Sequence, residues 1–110
     1  MQYKPTKSEK ELFQTISSIE TEDECRFFLR DLLTEAEIKE FANRWKVARM
    51  LNQKIAYKQI ERETGMSSTT IARIQKWLTN GMNGYQTMIN KLQPMRKNTN
   101  NKSIAHHLLF

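Results

Sequence analysis

The chain has 110 residues, only three glycines and two prolines, and one cysteine, Cys25; this excludes a TIM barrel, a complete dinucleotide-binding fold, a turn-rich all-β protein and any intrachain disulfide. No apolar run reaches the roughly 18–20 residues of a membrane span, and the opening MQYKPTKSEKE lacks the apolar stretch of a secretory signal, so the expected location is the cytoplasm with no membrane partner. The net charge of +6 is unevenly placed, with −4 over residues 1–40 (six Lys+Arg, ten Asp+Glu) and +10 over residues 41–110 (twelve and two), a division that suits a polyanionic partner, nucleic acid first.

Successive short helices, without an internal repeat, account for the pattern that follows. Ser8-Glu-Lys-Glu11 has capping-box spacing ahead of Leu12, Phe13, Ile16 and Ile19, which share one helical face. Thr21-Glu-Asp-Glu24 repeats the device, with three acids suited to a helix N-terminus. The helix it opens is expected to bury Phe28, Leu29, Leu32 and Cys25. Thr34-Glu-Ala-Glu37 is a third box, opening a longer helix with Ile38, Phe41, Trp45, Ala48 and Leu51 in line and an end near Asn52. Shorter helices are predicted over 57–63 and 67–78, with Gly65 between them. After the turn-forming Asn80-Gly-Met-Asn-Gly84, a last amphipathic segment carries Tyr85, Met88, Ile89 and Leu92, and Pro94 is expected to end it. Residues 94–110, with the polar run KNTNNKS, read as a flexible tail, and the terminal LLF has no periodic support.

Phe13, Ile16, Ile19, Phe27, Phe28, Leu32 and Leu33 are a large apolar inventory for the first helices of so small a chain. They are expected to pack on a second copy, the alternative being an ordinary monomeric core.

Residues 57–78, YKQIERETGMSSTTIARIQKWL, fit a helix-turn-helix. Ile60 faces inward from the first helix, Gly65 takes the turn, where a positive φ excludes most side chains, and Met66 follows it. Ile71 and Ile74 face inward from the second helix, which Ser67 or Ser68 can cap. Glu61 stands where the helices approach and a small residue is usual, so it has to turn outward. The N-terminal residues of a recognition helix meet base edges in the major groove. Ser67, Ser68, Thr69 and Thr70 offer hydroxyls and, on the threonines, methyls for thymine. Lys58, Arg73 and Lys76 suit phosphate contacts, and Tyr57 can add a hydroxyl. The alternative reading of the serines and threonines is that they only cap and turn the chain.

From Asp31 to about Leu92 the chain resembles the Trp repressor superfamily, and LLTEAEI, RWKVARML, the string YKQIERETGMSSTTIAR and NGMNGY look closer to its YerC/YecD branch than to the tryptophan-binding repressor. The resemblance implies an all-α fold of about six helices and an intertwined homodimer that binds a two-fold symmetric operator and represses transcription. It also implies an effector pocket at Thr34, Arg44, Arg73, Ile74 and Trp77. There Ile74 stands where the family has a glycine that makes room for indole, and Trp77 where a serine meets the ligand's amino group. Two large apolar side chains fill that space, so free tryptophan is not expected as corepressor, no cofactor is expected, and any small-molecule effector is unidentified.

An enzyme is not expected. The basic half has no catalytic carboxylate pair and the chain no Gly-rich phosphate loop; Cys25 lies on an apolar face, His106 and His107 are adjacent in the tail, and neither arrangement has metal-ligand spacing. The rival class is a helical protein-interaction module with only non-specific DNA affinity, against which the Ser/Thr-rich helix start and its flanking cations argue. The expected organisation is one domain over 1–93: dimerisation helices at 1–52, the helix-turn-helix at 55–79 and a C-terminal helix at 81–93.

Overall fold

Hydroxyl side chains start four helices of this chain, because each replaces a partner that the first amides of a helix lack. The computed structural model of the protein describes residues 2–98, where the regular structure is helical throughout. In chain order the helices are α1 (Lys7–Ser17), α2 (Glu22–Leu32), α3 (Glu35–Asn52), α4 (Tyr57–Thr64), α5 (Ser68–Asn80) and α6 (Gly84–Asn98). Its contacts divide the chain into two compact units, Met1–Asn43 and Arg44–Phe110, the division falling inside α3.

In the first unit α1 starts earlier than the Ser8 box predicts. Thr6 is the N-cap: its hydroxyl accepts from the Glu9 amide at 3.1 Å, and the Glu9 carboxylate accepts from the Thr6 amide at 3.2 Å. The same carboxylate accepts the Tyr3 phenol, and these bonds hold its pKa below the ordinary value. Ser8 lies inside the helix; the upstream box wins because one carboxylate there serves two donors. At α2 the Thr21 hydroxyl accepts from the Glu24 amide at 3.0 Å, but the Glu24 carboxylate reaches back to the Glu20 amide rather than to Thr21, so the predicted box is half formed. The third box is complete, with Thr34 and Glu37 exchanging bonds of 2.9 and 3.1 Å.

The expected burial along α2 does not occur. Phe28, Leu29 and Cys25 are half-buried and Leu32 is 46% exposed. Phe13 (44%) and Phe27 (59%) are as open to water. No residue from 2 to 43 is buried. Two amphipathic helices of eleven residues each cannot surround their own apolar side chains, so periodicity names the apolar face without supplying what covers it.

The second unit has an interior. Val47, Ala48, Met50 and Leu51 of α3, Ile60 of α4, Met66, Ile71, Ile74 and Leu78 of α5 and Ile89 of α6 form one buried cluster, with Trp45, Ile55, Trp77 and Tyr85 packed against it. Met66 belongs to the turn between α4 and α5. Each fully buried isoleucine contributes on the order of 1.5–3 kcal/mol relative to exposure. α3 ends in a Schellman arrangement. Lys54 takes φ +66°, its amide donates to the Leu51 carbonyl at 3.0 Å, and the Ile55 amide donates to Met50 at 3.1 Å. Pro94 does not end α6, which continues to Asn98. The missing proton affects one bond, to the carbonyl of exposed Asn90, where water can substitute, and strong helix formers lie on both sides. The tail beyond 98, including His106, His107 and LLF, lies outside the described residues.

Gly65 and Gly81 separate two kinds of constraint. At Gly65, φ is +74° and an added Cβ meets nothing within 4 Å; at Gly81 an added Cβ runs into the Trp77 carbonyl. In urea denaturation Gly65→Ala should lose about 1–2 kcal/mol, Gly65→Asn less, and Gly81→Ala more than Gly65→Ala. The reverse order for the two alanine variants would refute this assignment of causes.

Candidate nucleic-acid interface

The geometry of the helix-turn-helix starts from its turn. α4 ends at Thr64, whose hydroxyl donates to the Ile60 carbonyl at 2.7 Å and accepts from the Met66 amide at 3.2 Å. Gly65 follows in the left-handed region, its amide donating to the Glu61 carbonyl at 2.9 Å. Met66 turns into the core, and Ser67 caps α5, its hydroxyl accepting from the Thr70 amide at 3.2 Å. Three residues therefore join the helices, and Ile60, Ile71 and Ile74, all fully buried, lock them together. Glu61 is half-buried, as far as its place near the second helix lets it turn outward.

Burial of one face fixes what the other presents. On α5, Ile71, Ile74 and Leu78 are inward, while Ser68, Thr69, Ala72, Arg73 and Lys76 are exposed. These five recur at helical spacing, so two hydroxyls and two cations share a solvent-facing stripe. Thr70 differs from its neighbours: it is half-buried, and its hydroxyl oxygen is 3.1 Å from that of Ser67, which donates to it. Its role is in the cap rather than on the stripe. Tyr57 and Lys58 are exposed at the start of α4, whose N-cap, Ala56, supplies no side-chain bond to its first amides.

Two further cations adjoin this surface. Arg62 is exposed one helical turn after Lys58, and Lys54 is exposed just ahead of α4. The i,i+4 spacing of Lys58 and Arg62 is visible in sequence. Lys54 is not, because lysine gives no signal of the left-handed residue at a helix end.

The chain matches the family model described as Trp repressor protein over residues 7–93. It belongs to the Trp repressor family. Members of this family are DNA-binding regulators rather than enzymes. The chain is 36% identical over 92 residues to the uncharacterized protein YerC of Bacillus subtilis, covering 84% of this chain and 88% of that one. Its structure is similar to the crystal structure of a TrpR-like protein from Eubacterium eligens, with a TM-score of 0.76, 36% identity and coverage of 79% of this chain and 90% of that one. A Staphylococcus aureus protein provisionally called a Trp repressor matches with a TM-score of 0.75 and 34% identity, over 80% of this chain and 88% of that one.

Within this Trp repressor family member the five predicted effector-pocket residues have different environments. Ile74 is fully buried and belongs to the core. Trp77 is half-buried against the same cluster, and its carbonyl accepts the Gly81 amide at 3.0 Å. Arg73 is exposed on the opposite face of the same helix. Arg44, half-buried, lies near Tyr85, whose phenol is pushed above its ordinary pKa by burial, with Arg44 opposing that shift. The Thr34 hydroxyl is spent on the Glu37 amide in the first unit. No helix among the described residues is long and apolar enough to cross a membrane.

The Ser67 cap can be tested apart from any ligand. Ser67→Ala should cost about 0.5–2 kcal/mol, whereas Ser67→Asp should keep most of the stability, since aspartate accepts the same amide and its charge suits a helix N-terminus. Chemical denaturation of the pair checks this; equal losses would mean that the hydroxyl is not acting as a cap.

Proposed function

We propose that the protein is a homodimeric, sequence-specific double-stranded DNA-binding regulator of transcription, a repressor acting in the cytoplasm. Two copies of α5 enter successive major grooves about 34 Å apart on one face of the DNA. The observation that carries this reading is the division of α5 into a locked apolar face and an open stripe of Ser68, Thr69, Arg73 and Lys76. Short hydroxylated side chains let the helix start approach the bases closely, and the cations reach phosphates on either side. Tyr57, Lys58, Lys54 and Arg62 extend the cationic surface across the turn. Homodimerisation is supported by the first unit, where Phe13, Phe27 and Leu32 lie open to water and nothing is buried. Apolar area of that kind on a small helical unit calls for a partner surface.

In this reading the head needs no tryptophan. Ile74 occupies interior volume with its own side chain, and Trp77 packs beside it. The ligand's place is taken by covalently attached apolar groups, and the orientation of α5 is set on folding.

Selection of purified protein on a random double-stranded DNA library, at about 50 and about 200 mM salt, tests the main reading. A palindromic motif with half-sites one helical turn apart, retained at the higher salt, is expected. Salt-labile retention without a motif would favour the interaction-module reading. Thr69→Ala should change the selected bases while leaving the melting temperature within about 2 °C, a shift of the size expected from a surface substitution. Arg73→Ala should weaken binding similarly across sequences and reduce the salt slope by about 1. Ser67→Asp, folded but acidic at the DNA-facing end, should lose binding. Isothermal titration with L-tryptophan should give no saturable binding below about 100 μM; a clear isotherm would overturn the tryptophan-independent reading while leaving the DNA reading intact.

A further inference from the structure

One buried side-chain nitrogen or oxygen among the described residues has no hydrogen-bond partner: the Nε of Arg49. A guanidinium N–H withdrawn from water and left unpaired is costly, so native proteins fill such sites. Arg49 lines a pocket between the last turns of α3 and the middle of α6, together with Trp45, Asn52, Gln53, Ile89 and Leu92. The guanidinium carbon is 5.6 Å from the centre of the Trp45 ring, and that ring stacks on Tyr85 with centroids 6.3 Å apart and planes 18° from parallel. The face of the Trp45 ring attracts the guanidinium and helps to hold it in place. The cavity volume is about 40 Å³. That is room for a carboxylate or a few waters and not for an indole ring.

The unit that contains this pocket is poor in acids, and none of its acidic side chains lines the pocket. Residues 44–110 hold two carboxylates, Glu61 and Glu63, both on α4, and Glu63 accepts from Gln59 at 2.8 Å. The first unit has the opposite composition, with ten carboxylates and a net charge of −4 over residues 1–43. Glu9, Asp23, Glu24, Glu35 and Glu37 are engaged within it. Glu11, Glu20, Glu22 and Asp31 of the same unit have no such bond through their carboxylates. Asp31 lines a groove with exposed Phe27 and half-buried Ile19 and Phe28. That pairing of a carboxylate with an apolar rim is the complement of Arg49 ringed by Trp45, Ile89 and Leu92.

We propose that the Arg49 pocket seats a carboxylate from the acidic first unit of a second copy of this chain. The proposal rests on the homodimer reading and deepens it. The apolar faces of α1 and α2 supply the contact area, and Arg49 supplies a polar anchor that fixes where they dock. Once an acid is in place, the guanidinium has a charge-assisted partner in a water-poor setting and the orphaned N–H is satisfied. The −4 and +10 units are then complementary surfaces of one interface as well as the source of a basic face for DNA.

The test uses the full chain with p-benzoylphenylalanine in place of Gln53, an exposed residue at the pocket rim. Nitrogen-15-labelled and unlabelled protein are unfolded together, refolded, irradiated and digested. The expected result is mixed-label cross-links joining position 53 to peptides within residues 7–32, in a sample that sediments as a dimer. A dimer giving only same-label cross-links, cross-links to residues 44–110, or none overturns the proposal and spares the homodimer. A monomer overturns both. In parallel, Arg49→Glu should raise the dimer dissociation constant at least about tenfold, the size of one lost charge-assisted contact, with unchanged helical circular dichroism at high concentration. An unchanged dissociation constant would exclude Arg49 as the anchor.

Discussion

The reading head depends on the closure of Ile60 against Ile71 and Ile74 around a turn of three residues. These side chains are wholly withdrawn from water, and they can meet only because Gly65 takes a left-handed conformation between the helices. Met66 and Leu78 complete the same buried cluster. Its outward chemistry is a by-product of its inward packing: with every third or fourth residue of α5 committed to the core, the residues between are forced into solvent as a stripe. Polar function and apolar stability are thus read from opposite faces of one thirteen-residue helix.

Much of this was legible in the chain. Glycine at position 65, a hydroxyl two residues later and isoleucines at 60, 71 and 74 define the helix-turn-helix almost without choice. Three physical features are not legible in the sequence. Competing caps could not be ranked by spacing alone: Thr6 outranked Ser8 because Glu9 also receives the Tyr3 phenol. The end of α3 near Asn52 agrees with the structure, although the left-handed Lys54 that closes it carries no signal in the sequence, whereas Pro94 does not end α6. The apolar face of α2 stays open within its own chain, because an amphipathic pattern marks a face that wants covering and is silent about what covers it. Of the site residues, Thr70 sits with the cap rather than on the stripe, a half-turn distinction that composition does not carry. Arg49 was invisible for a different reason. Its importance comes from a buried Nε without a hydrogen-bond partner in a pocket whose lining includes no acid, and a sequence lists neighbours only along the chain.

The placement of Ile74 has a regulatory meaning in the proposed function. A repressor whose heads are wedged by a dissociable ligand reports the concentration of that ligand. One whose wedge is its own side chain has spent that degree of freedom at folding, and its occupancy of DNA follows the amount of protein and the state of its subunit equilibrium. Charge division serves the same economy of parts. In the same proposal the basic unit serves two kinds of negative partner, DNA phosphates along α5 and a carboxylate at the Arg49 pocket.

The order of the two units along the chain has a consequence for biosynthesis. The acidic unit leaves the ribosome first, and it has no interior in which to hide Phe13, Phe27 or Leu32. The 67 residues of the basic unit, Arg44–Phe110, need about 3–13 s more at ordinary elongation rates. For that interval the nascent segment must stay soluble as isolated helices. Its hydroxyl caps at Thr6, Thr21 and Thr34 favour each helix start through local bonds, and its surplus of carboxylates makes neighbouring nascent chains on a polysome repel one another.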